Sequence, residues 1–283
     1  MGFLLHASLS SPSPSTPKSN TAANNLASPR PVIILPGLGN NSKDYHGLVM
    51  TLQSYNIPSV VVKVSRIDWL RNAYGLADPN YWKGTLKPRP ILDWYLKRVE
   101  DAIIESKQLQ QGDQKLSLIG HSAGGWLARV FMEEFNSSDV SLLLTLGSPH
   151  LPSPKDTSGV LDQTRGLLDY VEKYCKPAVY SLDLKYICIA GRYIQGSRFD
   201  VKSTETGEST LRTWFIGQGY KQVCGRADVW GDGVVPEVSA HLKGALNITY
   251  DGIYHSPVGS DDTGRPWYGS PLVVDKWVHH LLC

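Results

Sequence analysis

The feature that most constrains this 283-residue chain is the segment Leu116-Ser117-Leu118-Ile119-Gly120-His121-Ser122-Ala123-Gly124-Gly125. A short apolar run stops at a glycine. A serine sits between small residues, and Trp126, Leu127, Val130 and Phe131 then recur at helical spacing. Strand, sharp turn and helix therefore follow one another with no spacer. The turn forces strained backbone angles on Ser122. It also brings strand and helix close enough to demand glycine at Gly120 and Gly124. Such a turn lifts the serine hydroxyl above the carboxyl end of a sheet and sets a helix N-terminus beneath it, where developing negative charge is favoured.

Other segments repeat the alternation of strand and helix. Val32–Leu35, Ser59–Val64, Lys115–Ile119, Leu142–Leu146, Lys185–Ala190 and, more weakly, Asn247–Tyr250 read as strands. Helical spacing links Tyr45, Leu48, Leu52 and Tyr55. It also links Leu92, Leu96, Val99 and Ile103, in a helix ending near Gly112, and Val274, Trp277, Val278 and Leu281, in a helix started by Pro271. The pattern predicts an α/β class with a mostly parallel central sheet and helices on both faces. Stretches near 65–90, 150–180 and 195–230 break it and are rich in Trp, Tyr, Pro and Gly. They read as lid or cap insertions on a domain spanning 31–283.

Residues 1–30 differ in kind, with nine Ser/Thr and four Pro and no acidic residue before Asp44. They read as a disordered leader. A plastid transit peptide and the tail of a cytosolic protein are the two readings of it, so the expected location is intracellular, cytoplasm or plastid.

Net charge is +2 with no basic run, which argues against a nucleic-acid partner. No stretch approaches 18 consecutive apolar residues, so no membrane-spanning helix is predicted, and membrane contact is limited to a transient one at the surface. Cys175, Cys188, Cys224 and Cys283 make no CxxC pairs. Free thiols are expected, with a Cys175–Cys224 bridge as the alternative in an exported protein. No metal or cofactor is called for.

A serine nucleophile needs a base, an acid and donors for the oxyanion. The backbone N–H of Ala123, directly after Ser122, is one expected donor. Leu35-Pro36-Gly37-Leu38-Gly39 follows the first strand and offers the second, assigned to Leu38 with Gly39 next. Among downstream histidines, His255 follows the last strand in a turn and is the expected base. His150 comes too early, His241 has no strand before it, and His279 and His280 fall in the last helix. Asp232 is flanked by Gly231 and Gly233 in a tight turn and is the expected acid, ahead of Asp251 and Asp228.

At these residues the chain resembles the lipase/esterase branch of the α/β-hydrolase superfamily, and within it plant GPI inositol-deacylase-like hydrolases. Leu35–Leu38 resembles the oxyanion segment, although many such enzymes carry His at the place of Pro36. Gly120–Gly124 resembles the elbow, Thr145-Leu146-Gly147-Ser148-Pro149-His150 a strand-end segment, and Gly231–Pro236 the acid turn. The resemblance implies the fold, a Ser122-His255-Asp232 triad and ester chemistry without a cofactor. The clusters Trp69, Tyr74, Tyr81 and Trp82, and Trp214, Tyr220 and Trp230, suggest an apolar pocket for an aromatic or acyl-lipid ester, or else staples fastening the insertions to the body. Two other readings use the same scaffold. One is a small-molecule receptor with little turnover, and the other a thioesterase or acyltransferase.

Overall fold

The computed structural model describes residues 29–109, 115–135, 138–198 and 208–282. Most of the Ser/Pro-rich leader, residues 1–28, lies outside them, as does Cys283.

The strand segments fold as β1 (Val32–Leu35), β2 (Ser59–Val61), β3 (Leu116–His121), β4 (Val140–Leu146), β5 (Lys185–Arg192) and β8 (Leu246–Asp251). They pair in the order β2-β1-β3-β4-β5-β8, and every pair is parallel. This is the α/β-hydrolase arrangement, a parallel sheet with helices on both faces. Two-residue strands β6 (Ile194–Gln195) and β7 (Trp230–Gly231) form a separate antiparallel pair that the sequence pattern did not reveal.

Alternation along each strand divides the core into two layers. Ile33, Leu35, Leu118, Leu143, Tyr186 and Cys188 face α3 (Asp93–Leu109), α4 (Ala123–Glu134) and α5 (Leu167–Tyr174). Val32, Ile34, Ile119, Leu144, Ile187 and Ile189 face α1 (His46–Ser54) and the C-terminal helix (Pro271–Trp277). These strands are apolar on both sides because both faces are covered.

Two expectations shift in detail. β2 stops at Val61 rather than Val64. Beyond it the Val62 N–H still donates to the Ile34 carbonyl, while the Ser42 hydroxyl shares its one hydrogen between the Val62 and Val64 carbonyls and accepts from the Val64 N–H. Inside the expected 150–180 insertion, α5 buries Leu167, Leu168 and Val171 in the helical layer beside the sheet. Its apolar stripe gives it a body position, not one over the end of the sheet. In the 65–90 stretch, a 3₁₀ segment (Arg66–Ala77) begins with a Ser65/Asp68 capping box and is followed by α2 (Pro79–Lys83). Cys175, Cys188 and Cys224 are free thiols, so the alternative Cys175–Cys224 bridge is not formed.

Because the sheet is parallel, all its strands end on the same side. Leu38 lies after β1, Ser122 after β3 and His255 after β8, while Asp232 directly follows the short strand β7.

Candidate active site

Ser122 sits between β3 and α4 with φ +51° and ψ −125°. A positive φ is costly for a residue with a Cβ and persists only where the surroundings enforce it. Here they do. Its N–H donates to the Leu146 carbonyl at 2.9 Å, and its carbonyl accepts from the Ser148 hydroxyl at 2.6 Å. A methyl group on Gly120 would lie 2.4 Å from Gly125 Cα, and one on Gly124 would lie 2.1 Å from the Leu35 carbonyl oxygen. Strand and helix thus approach as closely as glycine permits.

The loop after β1 lies directly against the serine. A methyl on Gly37 would lie 2.7 Å from Ser122 Cβ. One peptide unit of this loop is held at both ends. The Pro36 carbonyl accepts from the Tyr95 hydroxyl at 2.8 Å, and the Gly37 N–H donates to the Tyr45 hydroxyl at 2.9 Å. Leu38 follows with its side chain largely exposed.

His255 and Asp232 are buried and joined. The Asp232 carboxylate, with no exposed surface, accepts from His255 Nδ1 at 2.7 Å. The His255 N–H also donates to the Asp232 carbonyl at 3.0 Å. Asp232 Oδ2 accepts a second bond from the Tyr268 hydroxyl at 2.7 Å, while Oδ1 accepts from the N–H groups of Val234 and Val235 at 3.0 and 2.7 Å. The Tyr268 hydroxyl keeps its proton far above the usual phenol range, first through burial and then through the charge of Asp232. With Nδ1–H committed to Asp232, the lone pair of His255 is on Nε2. The hydrogen bonds of the described residues do not include a direct one from Ser122 Oγ to His255. The elbow and the loop after β8 are joined instead through His121, whose Nε2 meets the His255 carbonyl at 2.9 Å and whose ring lies 4.9 Å from that of His255.

The competing residues stand elsewhere. His150 is buried against Thr145 and Cys188, and burial lowers its pKa to about 3. His241 bonds Thr249, and His279 lies against His280 with ring centroids 3.9 Å apart. Asp228 pairs with Arg198 at 3.3 Å, and Asp251 is exposed at the end of β8. Among the described residues no group of three or more His, Cys, Asp or Glu is placed to hold a metal ion. The aromatic residues divide. Trp69 is buried against Trp94 and Tyr95, and Tyr220 is buried with its hydroxyl on Ile194 and Gly233, so both fasten insertions to the body. Tyr74 and Trp82 remain exposed. A groove of 810 Å³ opens beside the end of β2, lined by Ser65, Arg66, Asp68 and Arg98 among others, but by none of Ser122, Asp232 and His255. Arg66 is already paired with Asp44, and Arg98 with Asp68.

The PGAP1-like alpha/beta domain family matches residues 27–178, more than half of the chain, including the loop after β1 and the elbow. The chain belongs to that family. In this PGAP1-like chain the matched span ends before Asp232 and His255. Among curated proteins no significant match is found. Solved structures to which the chain is similar include the metagenomic carboxyl esterase MGS0156, at 11% identity over 90% of this chain and 76% of its own, TM-score 0.49. A Lactobacillus plantarum protein described as a cell surface hydrolase shares 15% identity over 89% of this chain and 92% of its own, TM-score 0.43. Est1E from Butyrivibrio proteoclasticus, solved with ferulic acid bound, shares 12% identity over 80% and 81%, TM-score 0.37. Among the described residues of the PGAP1-like chain, no helix is long and apolar enough to cross a membrane.

Four residues of the site escaped sequence reasoning: His121, Tyr45, Tyr95 and Tyr268. His121 was within the motif but carried no assigned role. The three tyrosines are distant in sequence and look like ordinary core residues.

Proposed function

We propose that the protein is a serine carboxylic-ester hydrolase. The observation that carries this reading is the buried 2.7 Å bond between His255 and Asp232, set beside a serine strained into the elbow conformation. Ser122 Oγ attacks the ester carbonyl carbon while its proton passes to His255 Nε2. Asp232 holds the Nδ1–H tautomer and stabilises the imidazolium. The oxyanion takes the N–H groups of Leu38 and Ala123, the latter at the start of α4. The carbon–oxygen bond to the alcohol then breaks as His255 returns the proton to the leaving oxygen. Water attacks the acyl-Ser122 ester with the same base, and the acid departs.

A lipophilic ester, aromatic or acyl-lipid, fits the apolar side chains left in solvent on segments leaving the carboxyl ends of the strands. Leu38, Tyr74, Trp82, Trp230 and Val234 are at least 45% exposed. Such side chains also suit transient contact with a lipid surface that presents the ester.

Ser122→Ala should lower turnover by about 10⁴–10⁶-fold on any ester that the native protein cleaves. A panel of acetyl, long-chain and aromatic esters tests the second half of the reading. Retained turnover in the alanine variant removes Ser122 from the chemistry, and acetate as the fastest acyl group removes the lipophilic substrate.

A further inference from the structure

His121 is a polar residue with 1% exposure, wedged between Tyr45 and Trp267 with ring centroids 5.7 and 5.6 Å away. An apolar side chain would fill that space at lower desolvation cost. Its two nitrogens are both engaged, and the partners fix the tautomer. Nε2 faces the His255 carbonyl at 2.9 Å. A carbonyl only accepts, so Nε2 carries the hydrogen. Nδ1 meets the Tyr45 hydroxyl at 2.7 Å. The Tyr45 oxygen already accepts the Gly37 N–H, so its own hydrogen points to Nδ1. Every donor therefore points the same way, from Gly37 N–H through Tyr45 O–H to His121 Nδ1, and from His121 Nε2–H to the His255 carbonyl. Burial and the nearby His255 keep this imidazole uncharged by pushing its pKa well below the usual histidine range.

The chain joins the loop after β1, the elbow after β3 and the loop after β8. Its last acceptor is the backbone of the base itself, and its first donor is the residue before Leu38. We propose that His121, in its neutral Nε2–H form, is a positioning residue that holds the base loop and the oxyanion loop in register with Ser122. This inference rests on the reading of Ser122 and His255 as nucleophile and base.

The test combines kinetics with ¹⁵N NMR of histidine-labelled protein at pH 7, the His121 signal being the one lost in His121→Gln. The native spectrum should show His121 as a neutral imidazole with hydrogen on Nε2. Tyr45→Phe should move the Nδ1 resonance toward that of an unbonded nitrogen and lower kcat by roughly tenfold, the worth of about one hydrogen bond. His121→Leu should lower kcat by about 10²-fold, the effect of roughly 1 Å of misplacement, with KM changed less than about threefold. His121→Gln keeps an N–H that reaches the place of Nε2 and should recover about tenfold over the leucine variant. An Nδ1–H or doubly protonated His121 at pH 7 overturns the proposal. So does native kcat in His121→Leu when Ser122→Ala is inactive. Activity surviving in Ser122→Ala is a different failure, that of the serine reading. If His121→Leu does not fold, Tyr45→Phe and the native spectrum decide.

Discussion

At the scale of single residues, Asp232 carries the most information. Its two carboxylate oxygens take four hydrogen bonds, from Val234, Val235, His255 and Tyr268, with no water needed. A buried carboxylate satisfied in this way cannot be exchanged for an amide without placing an N–H against a donor. Asp232→Asn should therefore cost about 10⁴-fold in kcat by spoiling the His255 tautomer. Asp251→Asn, at the exposed end of β8, should change kcat less than about twofold, as surface substitutions do. Steady-state rates on one ester rank the two, and the opposite order moves the acid to Asp251. The sequence pointed to Asp232 through the glycines around it, which mark a constrained turn. Tyr268 was not readable, because it lies 36 residues away and meets the carboxylate only after the chain returns.

At the scale of elements, the elbow is where local sequence and packing agree most fully. Gly120 on β3 faces Gly125 on α4 across a gap that has no room for a methyl group. Gly120→Ala must push the helix off the strand, against backbone rather than a flexible side chain. It should cost about 1–3 kcal/mol of stability, as overpacking a tight core does. Urea denaturation checks this, and an unchanged midpoint with an unchanged slope would mean that strand and helix are not closely packed. Strand and helix positions were legible because their periodicities were clean. Strand length and layer were less so. β2 ends early, where the Ser42 hydroxyl from another segment takes the Val62 carbonyl, and α5 joins the body because its apolar stripe finds the helical layer. The β6–β7 pair was invisible, because two residues carry no period.

At the scale of the whole molecule, burial of histidine sets a pH dependence. His121, His150, His241 and His280 all have depressed pKa values with desolvation as the first cause, to about 3 for His150 and about 4 for His280. Unfolding returns them to about 6.5, so below that pH the unfolded chain binds more protons than the folded one. Stability is then present above about pH 6.5 and is lost as pH falls toward the folded values, starting above the range where carboxylates titrate. Unfolding free energies measured from about pH 7 to 4.5 should fall with pH, and His150→Asn should flatten the slope. A flat native profile in that window would contradict the buried, neutral histidines. The amino-acid sequence by itself determined the parallel sheet, the elbow and the identities of Ser122, His255 and Asp232 as candidates, because each is written in a local pattern of apolar spacing and glycine. Only the tertiary structure decided what surrounds them. Tyr45, Tyr95, His121 and Tyr268 reach the site from separate elements, and contacts between distant segments leave no period or motif in a chain read one residue at a time. The elbow strain is local and legible, but the hydrogen bonds that tie it to the loops after β1 and β8 exist only once the sheet has gathered its strand ends on one side.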